Sequence, residues 1–130
     1  MINLEQIRAQ RAFAKAAAVA QEKYHEDFLR LAKNLPAMFQ TNGLLATWAF
    51  LLSKAQKNKE HKEALQILLA HFRDGHLNLR VNNPDIVRVL TEEWTGNTAT
   101  LQGTQLMRLT AEAVAFSGWL KRAAEALCDK

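Results

Sequence analysis

The chain has 130 residues, a length that fits one domain able to bury about two-thirds of the surface its unfolded form exposes. Hydrophobic residues make up 48% and charged residues 23%, which excludes the polar, highly charged signature of disorder. Seventeen Lys and Arg against thirteen Asp and Glu give a net charge of +4, which favours polyanionic partners. The excess lies in residues 1–80, with twelve cations and seven acids, while residues 81–130 carry five and six.

In chain order, residues 4–33 contain no Pro or Gly. Phe13, Ala17, Ala20, Tyr24, Phe28, Leu31 and Leu35 recur at steps of three and four, which predicts one long amphipathic helix capped by Asn3 and broken at Pro36. A short helical turn should then end at Asn42-Gly43, where the left-handed conformation is tolerated. Residues 44–54 are apolar on nearly every side and read as the core helix, but they are too short for a membrane span, which needs about 20 residues. Lys54–Glu63 has no apolar stripe and reads as the exposed connection, its four lysines interleaved with Glu60 and Glu63.

Ala64, Leu65, Leu68, Leu69 and Phe72 predict a helix ending at Asp74-Gly75, and Leu77–Val81 an extended loop. Asn83-Pro84-Asp85 is a strong helix start, with Trp94 and Gly96 at its end. A weaker helix over residues 98–108 should lead into a last one, capped by Thr110. There Leu109, Ala113, Phe116, Leu120, Ala123 and Leu127 share a stripe. The expected fold is therefore all-α: a single-domain bundle over residues 1–130, of about six helices, with long N- and C-terminal helices.

Constellations that carry chemistry are missing from this pattern. His25, His61, His71 and His76 fall on different predicted elements and read as surface side chains; no metal site or cofactor is expected. Cys128, the single cysteine, reads as an inert thiol in a frayed end, and with no secretory signal at the start it fits a reducing, cytoplasmic setting. Glu92-Glu93 point to different sides of a helix, and neither Gly96 nor Gly103 opens a phosphate loop. The expectation is a binding protein and not an enzyme, without a small-molecule substrate or a membrane. On the last helix Arg108, Trp119 and Arg122 lie within about 60° of one another, an edge fit to stack on a base or to dock a partner.

Three segments resemble a known family: LEQIRAQRAFA near the start, LAKNLPAMFQTNGLLATWAFLLSKA over residues 31–55, and LTAEAVAFSGWLKRAAEAL over residues 109–127. The likeness rests on Leu4-Glu5-Gln6 with Arg8, on Pro36, on Asn42-Gly43-Leu44 with Thr47, Ala49-Phe50 and Lys54, and on Thr110, Glu112-Ala113 and Trp119-Leu120-Lys121-Arg122. It is similar to the small helical subunit of the Cmr-type (type III-B) CRISPR effector complex. That resemblance implies a non-catalytic antiviral-defence subunit, stacked in two or more copies along guide RNA and target RNA beside a repeating backbone subunit. It also implies that the basic residues at matching positions, Arg8, Lys54, Lys121 and Arg122, face the nucleic acid. Two other readings compete with it. One is a pure protein scaffold docking through Trp119 and Arg108. The other is a small DNA-binding regulator using residues 85–108, whose second helix offers only Arg108 as a cation.

Overall fold

The computed structural model describes residues 3–74 and 103–128. The predicted loop at Leu77–Val81, the helix from Asn83 to Trp94, Gly96, His76 and Glu92-Glu93 lie outside these residues. Among the described residues there are four helices and no strand: α1 (Leu4–Val19), α2 (His25–Ala55), α3 (Lys59–Phe72) and α4 (Gly103–Leu127). The all-helical class is as expected; part of the expected six-helix count falls outside the described residues. No helix among the described residues is long and apolar enough to cross a membrane.

Asn3 caps α1 as its sequence suggests, Oδ1 accepting from the Glu5 backbone N–H at 2.9 Å. The single long helix does not form, because residues 20–24 turn the chain between α1 and α2. No Pro or Gly causes this break. Tertiary packing overrides good helix formers there, letting α1 lie on α4 while α2 packs on both α3 and α4. The buried face of α1 is consequently Ala12, Ala16 and Val19, whereas Phe13 is 38% exposed and Ala17 is exposed.

In α2 the predicted break at Pro36 is also absent, and the helix runs through it. An internal proline costs about 3 kcal/mol. Phe28, Leu31, Leu35 and Phe39 are all buried around it, and full burial of each such side chain returns about 1.5–3 kcal/mol, so packing wins. The bend comes at Gly43, whose φ of 84° and ψ of 172° lie in a region open essentially only to glycine. Beyond it Leu44, Trp48 and Leu51 are buried but Phe50 is 36% exposed, so this segment buries one side and not every side.

The predicted Lys54–Glu63 connection shrinks to residues 56–58, since α3 already begins at Lys59. Likewise no break separates residues 103–108 from the last predicted helix, since both lie in α4. Thr110 does not cap but bonds back within the helix, its Oγ1 donating to the Leu106 carbonyl at 2.8 Å. The predicted stripe does reach the core: Leu109, Ala113, Phe116, Leu120 and Ala123 are fully buried, with only Leu127 left 41% exposed.

The two described glycines with free space around them should respond oppositely to alanine. A Cβ at Gly43 would meet nothing within 4 Å, so the loss in Gly43→Ala comes from the backbone alone and should be about 1–3 kcal/mol. Gly118 lies inside α4 with equally open space, and Gly118→Ala should stabilise by about 0.5–1 kcal/mol. Urea midpoints of the two variants moving in the same direction would contradict the kink.

Candidate nucleic-acid interface

A buried polar chain crosses the helices where sequence reasoning expected only surface groups. His71, read as a surface histidine, is 0% exposed on α3, its ring stacked on Phe116 of α4 at 3.9 Å and 10°. Arg11 of α1 can only donate, so His71 Nδ1 accepts from its guanidinium at 2.8 Å. The ring proton therefore sits on Nε2, which donates to Glu112 Oε2 at 2.8 Å. Arg8 grips the same carboxylate bidentately, Nε to Oε2 and Nη2 to Oε1, both at 2.8 Å. Arg11 continues to Asp74 Oδ2 at 2.6 Å.

Burial would raise the Glu112 carboxyl, but the hydrogen bonds from Arg8 and His71 outweigh it and hold the group down to about 2. The hydrogen bond to Glu112 outweighs burial at Arg8 and lifts its guanidinium above its ordinary range. Burial dominates at His71 and lowers it, so the ring is neutral. The only sequence traces of this network were Arg8 and Glu112, both positions in the family-like segments. The partners of Glu112 lie 41 and 104 residues away, beyond the reach of any local spacing.

The residues expected to face RNA fall into different settings. Arg8 is engaged inside this network, its side chain 17% exposed. Lys54 is exposed at the end of α2, Arg122 is exposed on α4, and Lys121 is half-buried beside it. The predicted edge forms in part: the Arg122 guanidinium lies 5.2 Å from the Trp119 ring centre, a cation–π contact. Trp119 itself is half-buried against the core, and its Nε1 donates to Glu5 Oε1 at 2.8 Å. Arg108 is exposed on the same helix. The structure therefore groups Lys121, Arg122 and Trp119 on α4, with Lys54 at a separate corner.

At that corner the glutamates and lysines separate. Glu63 accepts from the Tyr24 hydroxyl at 2.9 Å and Glu60 lies against His61, both half-buried, while Lys54, Lys57, Lys59 and Lys62 are all exposed. Burial and the neighbouring Glu63 push the Tyr24 hydroxyl up to about 12, so it stays a donor. Among all described residues, eleven Lys and Arg are exposed against five Asp and Glu. Cys128, expected in a frayed end, is instead fully buried with its thiol against the Ala16 carbonyl at 3.5 Å, and burial pushes its pKa up. No three His, Cys, Asp or Glu side chains among the described residues converge as a metal set.

Residues 4–127 match the family model described as CRISPR-associated protein (Cas_Cmr5). The chain belongs to the Cmr5 family. The fold agrees with a crystal structure of a CRISPR-associated Cmr5 family protein from Thermus thermophilus, with a TM-score of 0.76 and 25% identity over 98% of each chain. This Cmr5-family chain is thus a subunit of the Cmr-type CRISPR system, as the three sequence segments suggested.

Proposed function

We propose that this Cmr5-family chain is a non-catalytic RNA-contacting subunit of a type III-B antiviral complex in the cytoplasm. Copies of it stack beside the repeating backbone subunit and along guide and target RNA. The observation that carries this reading is the outward charge imbalance: eleven exposed cations against five exposed acids among the described residues, with Glu112 buried and Glu60 and Glu63 turned inward. In RNA-guided assemblies base pairing reads sequence, and protein supplies a positive surface that holds backbone and shape. Dispersed cations suit that task, and repetition in a stack multiplies contacts that are weak one at a time.

The test is Lys121→Glu with Arg122→Glu. The isolated chain should keep its helicity, while target-RNA affinity of the assembled complex drops about tenfold or more. The slope of affinity against salt should fall by about one for each phosphate no longer neutralised. Equal affinity at low salt, measured by filter binding, would overturn the reading.

A second reading, a scaffold without RNA contact, is favoured by one feature of α1. Gln6, Gln10, Phe13, Ala14, Ala17 and Ala18 are all exposed and fall within about 140° of arc, and no charged residue lies among them. A charge-free face suits protein packing better than phosphate. Under this reading the charge reversal leaves RNA affinity untouched.

A further inference from the structure

From the cleft beside the lysine corner we infer a binding site for one unpaired nucleotide of single-stranded RNA, its base stacked on Phe50 and its phosphate held by Lys54 and Lys57. This rests on the RNA-contacting reading and specifies which form of RNA the corner takes. The cleft holds about 270 Å³, at or below the lower end of the roughly 300–1,000 Å³ typical of drug-sized ligands, so it suits something the size of a single base. Leu31 and Met38 from the first part of α2 supply apolar lining. Phe50, from beyond the Gly43 bend, and His61, from α3, form an aromatic pair with centroids 5.5 Å apart and an interplanar angle of 67°.

Phe50 is 36% exposed, the one large aromatic side chain of α2 left open to solvent. Every base has a π-face, so an open ring accepts any of them. Asn34 and Glu60 also line the cleft, offering an amide and a carboxylate to the donors and acceptors of a base edge. His61 Nδ1 is buried and makes no hydrogen bond among the described residues, lying 3.2 Å from Glu60 Oε2 without the geometry for one.

Exposed cations flank the ring along the chain. Phe50 and Lys54 are one turn apart on α2, about 6 Å along the axis, and about 40° apart around it. The turn at residues 56–58 joins the two helices that carry Phe50 and His61, and it bears Lys57. Asp27 and Arg30, paired with each other, also line the cleft, and the two lysines lie outside its lining. Aromatic ring plus adjacent cations is the arrangement by which proteins hold single strands, whereas duplex RNA keeps its bases stacked and unavailable.

The experiment is photocrosslinking of the assembled complex to target RNA carrying 5-iodouridine at successive positions, with the attachment site mapped by mass spectrometry. The expected result is attachment at Phe50 or His61. In parallel, Phe50→Ala should weaken binding of an unpaired oligouridylate by about fivefold or more, with Phe50→Tyr restoring it and circular dichroism confirming the fold of both. A blunt RNA duplex should be indifferent to either change.

Crosslinks confined to the Lys121–Arg122 region would overturn the cleft while leaving the RNA-contacting reading intact. No crosslink anywhere on this chain would overturn both. Loss of the Phe50→Ala chain from the assembly, with the RNA affinity of intact particles unchanged, would assign the cleft to a neighbouring subunit and overturn the nucleotide site.

Discussion

Glu112→Ala should destabilise the isolated chain by about 3–5 kcal/mol, because it leaves the part-buried Arg8 guanidinium only its 3.5 Å contact to Glu5 and leaves the buried His71 Nε2–H without an acceptor among the described residues. For a chain of this length the melting temperature should fall by roughly 10 °C or more, readable by calorimetry. Glu112→Gln should lose less, since one oxygen still accepts. A loss under about 1 kcal/mol for alanine would show that the carboxylate is not the keystone of the network.

Acid sharpens the same test. Both His71 and Glu112 bind protons more weakly folded than unfolded, so the unfolded chain takes up more protons and stability must fall as pH falls. The His71 contribution is complete above about 6.5 and declines as pH drops below it. The Glu112 contribution is complete above about 4.5 and is lost on the way down to about 2, and it amounts to a few kcal/mol. In Glu112→Ala the second decline should vanish, which a series of urea titrations between about pH 5 and 2.5 would show.

Trp48→Ala is the other large effect, expected at about 3–5 kcal/mol. Trp48 is 1% exposed, 6.2 Å from the Phe72 ring, and it ties the second part of α2 to α3. Its Nε1 is buried with no hydrogen-bond partner among the described residues, an omission worth about 1–3 kcal/mol against the folded state. Trp48→Phe removes that donor along with some apolar area, so its net loss should stay below about 2 kcal/mol. Equal losses for phenylalanine and alanine, by urea denaturation, would mean that the indole nitrogen is not a burden.

Helical periodicity was legible where side chains are large. Phe28, Leu31 and Leu35 in α2, and Leu109, Phe116 and Leu120 in α4, sit in the core as their spacing implies. It misled in α1, because alanine lies on every face there and the one aromatic, Phe13, pulled the inferred stripe away from Ala12 and Ala16. The Pro36 and residue 20–24 assignments failed for a common reason: local preference of a few kcal/mol yields to packing from distant helices.

The lysine corner was readable as a charge run, but not the inward turn of Glu60 and Glu63. For Glu63 that turn depends on Tyr24 arriving from another part of the fold, 39 residues away. The buried His71 was illegible for the same reason. Its neighbours are set by where α1 and α4 meet, which no window of residues contains.

The clasp between α1 and α4 has a bearing on how the protein is made. Arg8 closes on Glu112, Glu5 on Trp119 and Ala16 on Cys128, joining positions 104, 114 and 112 residues apart. During synthesis the opening helix has no anchor on α4 until residues 112–128 leave the ribosome, so this part of the fold closes late. A nascent chain stalled before residue 112 should carry its first helix without its α4 partner, the small apolar face of Ala12, Ala16 and Val19 lacking that cover.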